Sequence, residues 1–115
     1  MPIMWLATQH GFYSIVQKAE DTYFVRGRVR QDLVNLVELL ELDAEVLEWD
    51  GADYRYRIVI DLETLLELMV QLAANLEYSN FKAQIYARED QSHKLGVYTR
   101  VWSTMAELQN QVVSG

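Results

Sequence analysis

One fifteen-residue segment occurs twice in this chain, 29 positions apart, and both copies change periodicity at an aspartate. Arg26-Gly-Arg-Val-Arg-Gln-Asp-Leu-Val-Asn-Leu-Val-Glu-Leu-Leu40 aligns with Arg55-Tyr-Arg-Ile-Val-Ile-Asp-Leu-Glu-Thr-Leu-Leu-Glu-Leu-Met69 at seven identical positions, among them Arg26/Arg55, Arg28/Arg57 and Asp32/Asp61. The leucine matches carry little weight, since any two amphipathic helices share them. Two arginines at one spacing before an aspartate carry more. Apolar residues alternate with period two before the aspartate and recur at helical spacing after it. An aspartate at such a junction can accept from the free amides of a helix's first turn. Each copy therefore predicts a strand, an Asp N-cap and a helix.

The flanking segments fit around these units. Ile3 to Thr8 and Phe12 to Lys18 read as two short strands, or as one strand interrupted by a bulge at Gly11. Tyr23 to Arg30 predicts a strand with Phe24, Arg26, Arg28 and Arg30 on one face and Tyr23, Val25, Gly27 and Val29 on the other. A helix should follow from Leu33 to about Leu42. Ala44 to Trp49 is a strand candidate, and Asp50-Gly51 a turn leading into the second copy. There Tyr54, Tyr56, Ile58 and Ile60 share one face while Arg55, Arg57 and Val59 share the other. The second helix should run from Leu62 to about Glu77, and Ser79 or Asn80 should cap a short third one through Tyr86. Leu95, Tyr98, Val101, Trp102, Met105, Leu108 and Val112 form a stripe along a last helix from about His93.

Together these elements predict a single α+β domain over residues 1–115: an antiparallel sheet with helices packed on one face, built as a (ββα)×2 repeat plus a C-terminal helix. The layering matches a ferredoxin-like two-layer sandwich. A chain of 115 residues can bury a core of its own without staples.

Composition removes several classes of function. There is no cysteine, so disulfides, thiolate metal sites and cysteine nucleophiles are excluded. Two histidines 83 positions apart, in no metal-binding spacing, give no support for a metal site. The five glycines never cluster into a phosphate loop, so no cofactor is expected. The net charge of −7 repels bulk nucleic acid and anionic membranes. With no long apolar run and no basic leader at Met1, the expectation is a soluble cytoplasmic protein.

Against this acidic background the basic residues are concentrated. Five of ten are Arg26, Arg28, Arg30, Arg55 and Arg57, whereas the stretch from Glu38 to Asp53 carries seven acids and no base. If the apolar strand faces meet the helices, the arginines point off the open face and gather into one patch. A guanidinium is a planar fork of donors suited to carboxylate or phosphate. The patch is thus a candidate site for an acidic protein or a small anionic ligand, and the chain a non-enzymatic interaction module. The plainer alternative, which ranks first, is that acids such as Glu45 and Glu48 pair with these arginines across the strands, a use of surface charge worth little. A partner subunit's sheet, or the C-terminal helix, would also cover the face.

A second class of function keeps its place beside this one. A small enzyme would use His10, Tyr13 and Asp53 near the Gly11 turn for acid/base work, with the arginines holding an anionic substrate; no elbow motif surrounds Ser14. The tyrosines of the second repeat alternate with its arginines, so they are expected in the core rather than as a base-stacking platform. The C-terminal stripe either completes the core or pairs with its own copy across a twofold axis in a homo-oligomer such as a dimer.

The landmarks Met4-Trp-Leu-Ala-Thr-Gln-His-Gly-Phe-Tyr-Ser14, Gly51-Ala-Asp-Tyr-Arg-Tyr-Arg57, Tyr78-Ser-Asn-Phe-Lys82 and Val101-Trp102 span nearly the whole chain. In these the sequence resembles a family of small uncharacterised bacterial and phage-associated proteins. The resemblance implies a bacterial cytoplasmic protein and brings no activity, ligand or catalytic residue with it.

Overall fold

A computed structural model describes residues 3–76, 85 and 88–114. The chain falls into two compact units, residues 1–77 and 78–115. The first contains β1 (Ile3–Ala7), β2 (Phe12–Ala19), β3 (Thr22–Gly27), α1 (Arg30–Leu40), β4 (Leu47–Glu48), β5 (Tyr56–Ile60) and α2 (Leu62–Ala74). The five strands form one antiparallel sheet in the order β1-β2-β3-β5-β4. The α+β class follows from this, with a different plan inside it. Three strands precede α1 and two precede α2, so the unit is not a (ββα)×2 repeat. Nor does the chain follow the β-α-β-β-α-β order of a ferredoxin-like domain.

Local chemistry explains the start of the sheet. The Thr8 amide donates to the Gly11 carbonyl at 2.9 Å, and the His10 and Gly11 amides donate to Thr8 Oγ1 at 3.0 and 3.2 Å. The side chain of Thr8 thus closes a turn, and the segment is two strands rather than one bulged strand. A tight turn at Glu20–Asp21, with Asp21 at φ 55°, joins β2 to β3.

The register fixes which side chains share a face. Ile15 pairs with Val25, which pairs with Ile58; Tyr13 and Ile60 fall on the same side. These five pack with Leu33 and Leu36 of α1 and Leu65 and Leu68 of α2 into one buried cluster. Both helices therefore cover one face of the sheet. Full burial of side chains of this size contributes about 1.5–3 kcal/mol each.

The two repeated segments share the strand-to-helix order but not the cap. Asp61 is the N-cap of α2, and its Oδ1 accepts from the Thr64 amide at 2.8 Å. Asp32 is not a cap: α1 begins at Arg30, after Val29, which offers no side-chain bond. The cause lies at Gly27, where an added Cβ would stand 2.6 Å from Leu33 Cδ2. The bare backbone at Gly27 lets α1 fold back onto β3 early, which draws Arg30 and Asp32 into the first helical turn. Asp32 then points inward, 1% exposed, and accepts the Phe12 amide at 3.2 Å, while its carbonyl accepts the Tyr13 hydroxyl at 2.7 Å. At its other end α1 closes with Glu41 in the left-handed region at φ 50°. The Leu42 amide reaches back to the Val37 carbonyl and the Glu41 amide to that of Glu38, and Leu42 and Val37 both pack on the core.

The cap at Asp61 makes a pH-dependent prediction. Hydrogen bonds from Thr64 hold the Asp61 carboxyl below its ordinary value. A depressed folded-state pKa adds stability that is present above the unfolded value, about 3.9, and disappears as pH falls through the folded one. Asp61→Ala is therefore expected to lower the thermal midpoint at neutral pH, with the gap to wild type closing in the acid range below about pH 4. A gap that stays constant from pH 7 to pH 3 in thermal unfolding would contradict the cap.

In the second unit a short 3-10 turn at Ser92–Lys94 leads into α3 (Leu95–Ser114). Tyr98 is buried, while Val97, Val101, Trp102, Met105 and Leu108 are each about half exposed or more. The expected third helix over residues 79–86 lies, apart from Ile85, outside the described residues, and so does the side chain of Val112. Among the described residues no helix is long and apolar enough to cross a membrane.

Candidate functional site

On the face of the sheet away from α1 and α2, one row of paired positions runs Ser14 on β2, Arg26 on β3, Arg57 on β5 and Leu47 on β4. Two arginines from the two repeated segments thus stand directly opposite each other on adjacent strands. Such neighbours have Cβ atoms about 5 Å apart, close enough for like charges to repel.

Each guanidinium is placed by uncharged groups. Arg26 donates from Nη2 to Ser14 Oγ at 2.7 Å and lies 4.8 Å from the Tyr54 ring centroid. Arg57 donates from Nη2 to the Tyr54 carbonyl at 2.7 Å. Its Cζ lies 3.9 Å from the centroid of Trp49 and 5.6 Å from that of Phe24, and those two rings meet edge-on at 5.8 Å. Arg57 is only 4% exposed, and its Nε is buried without a hydrogen-bond partner. Among the described residues neither Arg26 nor Arg57 forms an ion pair with a carboxylate. Burial first, and the Arg26 charge second, disfavour the charged form of Arg57. Arginine nonetheless keeps its charge at neutral pH, so the charge has no carboxylate partner among the described residues.

The other three predicted arginines are placed differently. Arg28 stacks over Tyr54 at 4.3 Å and donates to the Asp53 carbonyl at 2.8 Å, so it extends the Arg26 cluster at its exposed end. Arg55 is held by Glu48 at 2.8 Å and Asp50 at 3.0 Å, and the Glu48 carboxylate is the main cause of its raised pKa. For Arg55 the plain ion-pair expectation holds, with Glu48 as the partner. Arg30 opens α1 instead of ending β3, and is exposed there. The five do not form one patch: Arg26, Arg57 and Arg28 come together, while Arg55 and Arg30 stand apart in role.

Three aromatic residues complete the site, and alternation along the strands reveals one of them. Alternation predicts Tyr54 on the core-facing side with Tyr56, but β5 begins only at Tyr56; Tyr54 lies in the preceding turn and comes under Arg26 and Arg28. Trp49 extends the β4–β5 pairing through its amide, which donates to the Arg55 carbonyl at 2.8 Å, and this sets it diagonally over Arg57. Only Phe24, which shares the arginine face by strand parity, was legible from the sequence. Lys18 Nζ adds a further cation 5.6 Å from the Phe24 ring centroid.

Of the groups considered for acid/base catalysis, the Tyr13 hydroxyl is engaged within the core, and His10 is held through its backbone. The Tyr13 hydroxyl is bonded to the Asp32 carbonyl, and the His10 carbonyl accepts from Asn35 Nδ2 at 2.7 Å. The Asp53 side chain is 85% exposed beside Arg28. Among the described residues no group of three or more His, Asp or Glu is placed to hold a metal ion. The face away from the helices thus holds two guanidiniums to which no carboxylate of the described residues is bonded, with rings beside them and an exposed Arg28 at the edge.

No family model, curated protein or solved structure matches the chain.

Proposed function

We propose that this chain is a non-enzymatic interaction module, assembled as a small oligomer, whose open sheet face receives an acidic protein or a small anionic ligand. The observation that carries this reading is a buried Arg57 facing Arg26 across β3 and β5, with no carboxylate of the described residues bonded to either. A charge taken out of water without a partner costs several kcal/mol, and an incoming anion offsets that cost. The composition of the face supports the same reading. Trp5, 68% exposed, and Trp49, 46% exposed, lie on it with Tyr54 and three arginines, and Trp, Tyr and Arg dominate the binding energy of protein interfaces. Self-association is supported by the outward stripes of Leu62, Leu66 and Val70 on α2 and of Val97, Val101 and Met105 on α3, all exposed.

The test is a titration of the full chain with an acetylated triglutamate amide and its triglutamine analogue. Binding of the acid and not of the amide, weakened by salt and by Arg26→Ala, is expected. Equal behaviour of the two peptides would remove the proposal. A single-stranded oligothymidylate that binds more tightly than the acid, with a steep salt dependence, would reassign the face to nucleic acid.

A further inference from the structure

Within that binding-module reading, on which this step rests, we infer that the Arg26–Arg57 pair seats one carboxylate group of an acidic peptide, entering in the plane of the guanidiniums beneath Trp49. The donors set the direction of entry. Arg57 uses Nη2 on the Tyr54 carbonyl and leaves Nε unpartnered. Arg26 uses Nη2 on Ser14 Oγ, with its Nε 3.5 Å from the Ser14 carbonyl. An aromatic ring lies over each guanidinium, Trp49 at 3.9 Å on Arg57 and Tyr54 at 4.8 Å on Arg26. The donors left over from these bonds, Arg57 Nε among them, are those an incoming carboxylate would use.

A carboxylate is planar, carries two oxygens in that plane and pairs fork to fork with a guanidinium. A phosphate can use the same fork, so the choice between the two rests on charge. Glu48 and Asp50 sit in the same hairpin on Arg55, and Asp53 sits on Arg28, so acids border the cations on one side. A dianion meets more of that repulsion than a monoanion does. Arg57 is 4% exposed and lies 3.9 Å from the ring of Trp49, which is itself 46% exposed, so a group that reaches Arg57 changes the surroundings of that indole. The fluorescence of Trp49 consequently reports occupancy.

The chain has three tryptophans, so the experiment uses the full chain with Trp5→Phe and Trp102→Phe, leaving Trp49 as the reporter. It is titrated with acetylated triglutamate amide and with inorganic phosphate. Triglutamate is expected to shift the Trp49 emission and to bind about tenfold more tightly than phosphate. Arg57→Gln should weaken triglutamate at least about tenfold, the effect of losing charge-assisted bonds. Arg57→Lys, which keeps the charge and loses the fork, should weaken it as well. Arg55→Gln, on the ion-paired arginine, should change it less than about threefold. Thermal unfolding of each variant shows that it is folded. Triglutamate binding that is indifferent to Arg57→Gln, or phosphate binding as tightly as triglutamate, would overturn this seat while leaving the module standing. Failure of both anions to bind would remove the module with it.

Discussion

Gly11→Ala is expected to cost about 3–5 kcal/mol, enough to leave the first unit partly unfolded at 37 °C. A Cβ at Gly11 would stand 2.5 Å from Asp32 Cγ, 2.6 Å from Asp32 Cβ and 2.7 Å from the Tyr13 hydroxyl. None of the three can yield cheaply. Asp32 is 1% exposed in the first turn of α1 and Tyr13 is fully buried, so relief requires moving a helix or a core aromatic. Either movement also separates the Phe12 amide from the Asp32 carboxylate and leaves buried polar groups short of a bond. Gly96 is the control: nothing lies within 4 Å of its added Cβ, and it sits in α3. Gly96→Ala should therefore stabilise its helix by up to about 1 kcal/mol. Urea unfolding of both variants decides the matter, and a Gly11→Ala protein within about 1 kcal/mol of wild type would show the contact to be loose.

Arg57→Met should act in the opposite direction. It removes a buried charge that no carboxylate of the described residues pairs with, and leaves an unbranched apolar side chain that can still lie against Trp49. Apolar replacement of buried charges often stabilises by about 1–4 kcal/mol. Here the lost bond to the Tyr54 carbonyl and the lost stacking on Trp49 offset part of the gain. The expected net is about 1 kcal/mol, a rise of roughly 4–8 °C in the thermal midpoint of a unit this size, together with lost binding of triglutamate. A chain that is more stable without Arg57 keeps the residue for something other than folding. A fall of similar size in the midpoint would make Arg57 part of the scaffold.

The two repeated aspartates mark the limit of what local residue types specify. Asp61 caps α2 through an amide three residues away, an interaction local enough to read from residue types and periodicity. Asp32 sits at the equivalent position of the other copy, yet its partners, Phe12 and Tyr13, come from a strand about twenty residues earlier. The same difference governs the arginines. Strand parity puts Arg26 with Phe24 and Arg57 with Val59, but parity says nothing about which strands pair.

The sequence by itself determined the strand-to-helix order of the two repeated segments, the core-facing side of Val25, Ile58 and Ile60, the cap of α2 and the concentration of cationic charge, because each depends on neighbours within a few residues. The tertiary structure alone decided that β3 pairs with β5 so that Arg26 meets Arg57, that Glu48 and Asp50 take Arg55, and that Trp49 and Tyr54 close over the pair. A shift of one residue in that pairing sends every side chain of a strand to the opposite face, and the register is set by burial of the whole sheet rather than by any single segment.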